Sequence, residues 1–502
     1  MMQIGFDTEK YLENQSKQIL DRVKGKDKLY LEFGGKLVGD KHAKRVLPGF
    51  DENAKMKLLQ TIKDNVEIII CIYAGDIESN KVRGDYGITY TDDVLRLIDE
   101  YHAYGIPVNS VLVTRYNHQP NAKAFMLNLK NRGIKVYHHE AIEGYPTDMD
   151  TIFGPNGFEK NAYIETTQPV VVVSAPGANS GKLSTCLSQI YHENKRGVKA
   201  SYAKFETFPV WNLPLKHPVN VAYEAATVDI NDANMIDSYH YDAYGKVAVN
   251  YNRDLNIFPV IRRILENILP EEDVYQSPTD MGVNCVADGI IDDEVCQEAA
   301  RQEIIRRYFA VHNEVKKGQL PEEAKNRIGI IMEESGLKPT DRAVVEPARQ
   351  YATDVQKRLN DGEAAPVIAL QLDDSRIVTG RSSDVMDASG AVIMNSLKVL
   401  AGINDEIDLL APMILNAIQE LKEEGLHEHT STLTAHELLI ALSISAFTNP
   451  TAKLAYDQLD KLQNTEAHAT FIPTHENEQT LKQLGINITN DPTYANSKLY
   501  YN

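Results

Sequence analysis

Apolar residues come in unbroken runs through the first half of the chain, separated by stretches whose apolar positions follow a helical period. KLYLEF (28–33), VEIIICIYAG (66–75), VNSVLVTRY (108–116), IKVYHH (134–139) and the four valines 170–173 read as strands. Such β-branched runs, with no polar alternation, suit a parallel sheet covered on both faces. Between them, 53–64, TDDVLRLIDEYHAYG (91–105) and NAKAFMLNLKNRG (121–133) read as helices, with Thr91 as a cap and Gly105 as a stop. A further strand is expected at 198–206, and another at 245–254. The alternation predicts an α/β fold: a doubly wound, mostly parallel sheet.

The period changes near residue 255. FPVIRRILENIL, DDEVCQEAARQEIIRRYFAVHNEVKKG, PEEAKNRIGIIMEESG and the stretch 340–362 all read as helical. From 363 strands return: APVIALQL, SRIVTG and ATFIPTH, alternating with helices such as TAHELLIALSISAF and ENEQTLKQLG. The expected organisation is an α/β domain at 1–254, a helical segment at 255–362 and a smaller α/β or α+β domain at 363–502.

Composition narrows the function classes. With 52 Lys plus Arg against 71 Asp plus Glu, the formal charge is −19. Such a chain repels nucleic acid and anionic membranes at long range, so neither is expected as a partner. Local basic pockets for phosphate are untouched by that argument. The N-terminus carries early acids and no apolar run, and no stretch approaches the ~20 apolar residues of a membrane span. A cytoplasmic protein is expected. Cys71, Cys186, Cys285 and Cys296 form no CxxC pair and read as reduced thiols. A chain of this length with helical insertions is also a candidate homo-oligomer.

The chemistry concentrates after the four valines, in SAPGANSGKLST. A Walker A loop, G-x-x-x-x-G-K-[ST], lies between a strand and a helix. Its glycines let backbone N–H groups turn toward phosphate, its lysine reaches the outer phosphates and its hydroxyl holds Mg²⁺. Here Gly181-Lys182 fits, but the first glycine sits one place late, at Gly177, and the hydroxyls slip to Ser184 and Thr185. The pattern fails by one residue at two places, while the strand–loop–helix context holds. The candidate phosphate cradle is Gly177, Ala178, Asn179, Ser180, Gly181 and Lys182 with Ser184 and Thr185. An ordinary tight turn is the alternative.

Other candidates lie at strand ends, where α/β sheets bind ligands. Lys204 and Glu206 end the next strand, and Arg253 follows an apparent strand in NYNRD. Lys36 follows Gly34-Gly35, and Asp76, Lys81, Arg83 and Asp85 follow the strongest strand. The segment 214–240 is rich in His, Asn and acids, and Asp229 within it is a candidate Mg²⁺ ligand together with Ser184. His436-Glu437 is followed by Leu-Leu-Ile, so there is no HExxH and no zinc is expected. Thr434-Ala-His-Glu437 fits a helix capping box instead.

LEFGGKLVGDKHAKRVLPGF, GDYGITY, SAPGANSGKLST, HPVNVAYEAAT, NYNRD and SPTDMGVN together resemble, end to end, a bacterial family of uncharacterised proteins known mainly as a domain of unknown function. More distantly, the strand, the Asn-Ser-Gly-Lys loop, the helix and a strand ending in lysine are similar to the dethiobiotin-synthetase-like P-loop proteins. That resemblance implies ATP and Mg²⁺ as cofactors, with Lys182 on phosphates, Ser184 or Thr185 on Mg²⁺, and Lys204 near substrate. The expectation is an ATP/Mg²⁺-dependent ligase or kinase for a small anionic or phosphorylated metabolite, with Lys36, Lys204 and Arg253 positioning the acceptor. Two alternatives stay open: a nucleotide or phosphometabolite sensor without turnover, and a metal-dependent hydrolase.

Overall fold

The computed structural model describes residues 4–83, 87–270, 274–359 and 366–495. Asp85 lies outside them with residues 84 and 86, the first part of the GDYGITY stretch, as does the end of the chain. Two compact units form: one runs through Thr227 and resumes over Asn231–Ala300, and the other holds Val228–Ile230 and the chain from Arg301. The helical stretch read at 255–362 is shared between them. No helix among the described residues is long and apolar enough to cross a membrane.

The first unit is built on strands β1 (Lys28–Phe33), β2 (Val66–Tyr73), β3 (Val108–Thr114), β4 (Val136–His138), β5 (Val170–Ser174) and β6 (Ala200–Phe205). A short antiparallel pair follows, β7 (Asn234–Ile236) with β8 (Val249–Tyr251), and then β9 (Gly282–Val283). All seven strands of the main sheet are parallel, in the order β4-β3-β2-β5-β1-β6-β9. The unbroken apolar runs have the expected cause. Tyr30, Ile69, Val171, Val173 and Tyr202 pack in one core with residues of the helices Lys182–Lys195 and Asn252–Glu266. The intervening Leu31, Ile70 and Val172 are equally buried, so successive residues on both faces are excluded from water.

The strand order creates one switch point. From β2 the chain passes through the helix Tyr90–Ala103 to β3, toward one edge. From β5, the neighbour of β2, it passes through Lys182–Lys195 to β6, toward the other edge. Outside the carboxyl ends of two such strands lies the crevice where open α/β sheets take their ligands.

The second unit holds β10 (Val367–Gln371), β11 (Ile377–Arg381), β12 (Glu466–Ala469) and β13 (Asn487–Asn490), in the order β11-β10-β12-β13. β12 and β13 are parallel and the other pairs antiparallel. Its core, including Leu370, Val392, Leu397, Leu438 and Leu442, joins the sheet to helices Ala388–Ala401 and Ala435–Ser445. Thr434 and Glu437 form the expected capping box. Two strand readings move. The expected strand at 469–475 lies earlier, at Glu466–Ala469, where His468 is fully buried, a position no apolar pattern marks. Asn487–Asn490 pairs at the sheet edge on a largely polar sequence. The stretch read as a strand to 254 ends at Tyr251, and Asn252 opens a helix.

Candidate functional site

β5 ends at the switch point, and the loop 175–181 carries the chain into the helix Lys182–Lys195. Gly181 enters that helix with φ 87°, in the left-handed region that favours glycine. Gly177 gives room for a different reason: a Cβ there would stand 2.5 Å from the Tyr90 hydroxyl, and the Tyr90 side chain would have to shift. Three hydrogen bonds hold the loop. The Ser180 hydroxyl donates to the Gly177 carbonyl (2.9 Å), the Thr114 hydroxyl at the end of β3 to the Ser180 carbonyl (2.8 Å), and Arg115 to the Asn179 carbonyl (2.5 Å). Arg115 itself has φ 51° and lies with its guanidinium 3.5 Å from the Tyr73 ring centroid.

All three bonds use loop carbonyls. Among the described residues, none accepts a hydrogen bond from the amides of 177–184, and no side chain caps the helix. Other helices among the described residues do have such a cap, as Asp7, Asp40, Thr89 and Asp148 illustrate, while some, such as Pro120–Asn131, do not. An uncapped first turn presents N–H groups and the positive end of the helix dipole to whatever enters the crevice. Lys182 is half-buried and has no ion-pair partner among the described residues. Burial pushes the thiols of Cys71 (up to about 12) and Cys186 upward. Lys182 pulls both down, while Glu32, at the end of β1, pushes both up. Lys182 and Glu32 therefore act on common ground at the strand ends.

A second cluster occupies the ends of β1 and β6. Lys204 pairs with Asp254 Oδ2 at 2.5 Å and Glu206 Oε1 at 3.0 Å. Tyr202 donates to Glu32 Oε2 at 2.7 Å. Against burial, the carboxylates of Asp254, Glu206 and Glu32 raise the Lys204 ammonium. Glu206 is raised from 4.5 to about 7, chiefly by burial and further by Asp254 and Glu32, with Lys204 opposing. Its carboxyl can thus take up a proton near neutral pH. The folded state holds the extra proton between these values, so this group's contribution to stability is complete below about pH 4.5 and is lost as pH rises to about 7. Replacement of Glu206 by Gln is expected to flatten that part of the decline, read as the difference between urea midpoints of the two proteins across the same window.

The other candidates fall as follows. Arg253 sits at the start of the helix Asn252–Glu266 with Nη2 3.2 Å from buried Asp232. Lys36 is exposed, and its carbonyl accepts from Lys55 Nζ (3.0 Å), which also pairs with Asp40 at 3.0 Å. Thr185 is buried; its hydroxyl donates to the Gly181 carbonyl (2.8 Å) and lies 3.4 Å from Cys71 Sγ. The Ser184 hydroxyl lies near the Tyr145 phenol and works against the effect of burial on it. Asp229 belongs to the other compact unit. The Thr185 hydroxyl is thus engaged by protein, and no group of three or more metal-ligating side chains stands together among the described residues. These residues do not fit a magnesium centre held by the protein. Asp76 and Lys81 pair with each other at 3.3 Å, and Arg83 binds buried Asp93 at 2.6 Å. In the segment 214–240, Asn220 bonds the backbone of Val210 and Asp237 caps a helix; both are structural.

Thr114, Arg115, Tyr73 and Glu32 were not singled out from sequence. A signal existed for the first two, a polar pair closing an apolar run in VLVTRY. Glu32 is a lone acid between buried residues of β1.

Family comparison then gives two matches that together span nearly the whole chain. "Domain of unknown function DUF1846, N-terminal" matches residues 4–336, and "Domain of unknown function DUF1846, C-terminal" matches 340–500. Similar curated proteins are named only "UPF0371 protein". One from Clostridium tetani (strain Massachusetts / E88) is 60% identical over 501 residues, covering 100% of both chains. One from Clostridium botulinum (strain Langeland / NCTC 10281 / Type F) is likewise 60% identical over 100% of both chains.

Proposed function

The chain belongs to the DUF1846 family, and from that premise we propose that its seven-stranded unit is an ATP-dependent kinase or ligase acting on a small anionic metabolite. The observation that carries this reading is the uncapped helix start at the switch point, where, among the described residues, the amides of 177–184 have no protein acceptor and Lys182 has no carboxylate partner. Fixed N–H groups and an unpaired ammonium are what a transferring phosphoryl group requires as charge builds on its oxygens. Arg115 and Thr114 hold the loop in place, so little reorganisation accompanies binding.

In this reading the acceptor lies against Lys204, Glu206 and Arg253. Its oxygen attacks the terminal phosphorus, its proton passes to Glu206, and the bond from phosphorus to ADP breaks. Lys204 keeps Glu206 in position and balances the neighbouring carboxylates. No step is assigned to a metal held by Ser184, Thr185 or Asp229.

A second reading, a nucleotide sensor without turnover, is favoured by one observation: the Thr185 hydroxyl is occupied by a protein partner, the Gly181 carbonyl. A thermal-shift panel of nucleotides and nucleotide-free phosphates separates these cases. The proposal expects ATP to raise the melting temperature by mass action and ADP to form when candidate acceptors are added. A rise with no ADP formed favours the sensor. No rise with any nucleotide removes both.

A further inference from the structure

The second unit contains a cleft of about 420 Å³ that the proposed reaction does not use. Its size is that of a small-molecule site, for which roughly 300–1,000 Å³ is usual. It lies where the parallel strands β12 and β13 end, next to the start of β10. Its wall is largely apolar, made by Pro366, Phe471, Pro492 and Tyr494. One ion pair interrupts it: Arg349, from the helix Val345–Leu359, donates from Nε (3.1 Å) and Nη2 (2.6 Å) to the two oxygens of Asp491.

The wall is preformed. Ile472 N–H donates to the Thr493 carbonyl (2.7 Å) and the Thr493 hydroxyl to the Thr470 carbonyl (2.8 Å), tying together the two segments that leave β12 and β13. The Asp491 amide donates to Ala469 (2.9 Å). Beneath it, His468 is fully buried, with Nδ1 2.9 Å from the Thr489 hydroxyl and Nε2 3.5 Å from Asp491 Oδ1. Burial works against ionisation of Asp491, yet the neighbouring His468 and the paired Arg349 hold the carboxyl at about 2. Asp491 is therefore charged at every physiological pH. The Arg349 side chain is 41% exposed, and its Nη1 has no partner among the described residues.

A cation and an anion side by side on an apolar wall complement a ligand that carries both charges close together. A simple carboxylate placed on Arg349 meets Asp491, and a simple amine placed on Asp491 meets Arg349. A zwitterion satisfies both. We infer that this cleft binds a free α-amino acid with an aromatic or large aliphatic side chain. Its carboxylate lies on Arg349, its ammonium on Asp491, and its side chain against Phe471, Tyr494 and the two prolines.

The test is calorimetric titration of the full-length protein with L-phenylalanine, L-leucine, 3-phenylpropionate and phenethylamine. The expected result is saturable binding of at least one amino acid, with the two singly charged analogues of phenylalanine at least tenfold weaker than phenylalanine itself or undetectable. Arg349→Met should weaken amino-acid binding tenfold or more. Should that variant not fold, Tyr494→Ala changes a side chain that is 53% exposed and should weaken binding several-fold in a folded protein. No binding of either amino acid, equal binding of the analogues, or unchanged binding by Tyr494→Ala overturns the inference. Lys182→Ala should leave amino-acid binding unaltered, so failure of this site and failure of the phosphate site are told apart.

Discussion

Replacing Lys182 with Ala should weaken ATP binding tenfold or more while leaving the melting temperature of the ligand-free protein unchanged. A hydrogen bond to a charged group is worth about 1.5–3 kcal/mol, and about 1.4 kcal/mol is tenfold in affinity. Stability should hold because the substitution removes nothing that the fold uses. Lys182 is the first residue of its helix, has no ion-pair partner among the described residues and is only half-buried. Alanine is the best helix former. The two readouts, calorimetric affinity and unfolding midpoint, separate a lost ligand contact from a damaged loop. Unchanged affinity in a folded variant would remove Lys182 from the site.

Lys204→Met should have the opposite signature, a stability loss of about 3–5 kcal/mol, the usual cost of breaking a buried ion pair by removing one partner. Methionine keeps most of the volume. It leaves Glu206 and Asp254 facing each other, with Glu32 close by and the cation that joined them gone. The loss should be greatest at neutral and alkaline pH. It should shrink on acidification, because a proton on Glu206 removes one of the repelling charges. Urea unfolding of both proteins at pH 5 and pH 8 measures this. An equal loss at the two pH values would mean that Lys204 matters for packing and not for charge.

Much of the scaffold could be read from local pattern. The valine run 170–173 is a strand buried on both faces because nothing in it is polar. The helix after the loop begins at Lys182, where the period of the sequence changes. Strand order was not legible. β5 sits between β2 and β1 although the chain makes β3 and β4 in the interval, and pairing between distant segments leaves no local trace. This order is what places the loop at the switch point of the sheet. The same limit applies to side chains. Ser184 and Thr185 look like metal-binding hydroxyls in a one-dimensional motif. In three dimensions Tyr145, Gly181 and Cys71 surround them. Arg115 could not have been linked to Asn179 from sequence, since the contact spans β3 and β5. His468, buried in β12, hid a strand that its neighbours are too small to announce.

The central claim is that the amides between Gly177 and Ser184 converge on an anion at the start of the helix Lys182–Lys195. Crystals soaked in a non-hydrolysable ATP analogue test it most directly. The account predicts density for the phosphates within hydrogen-bond distance of those amides and of Lys182 Nζ, beside Thr114 and Arg115. Phosphates bound at another part of the unit, with residues 177–184 untouched, would contradict it.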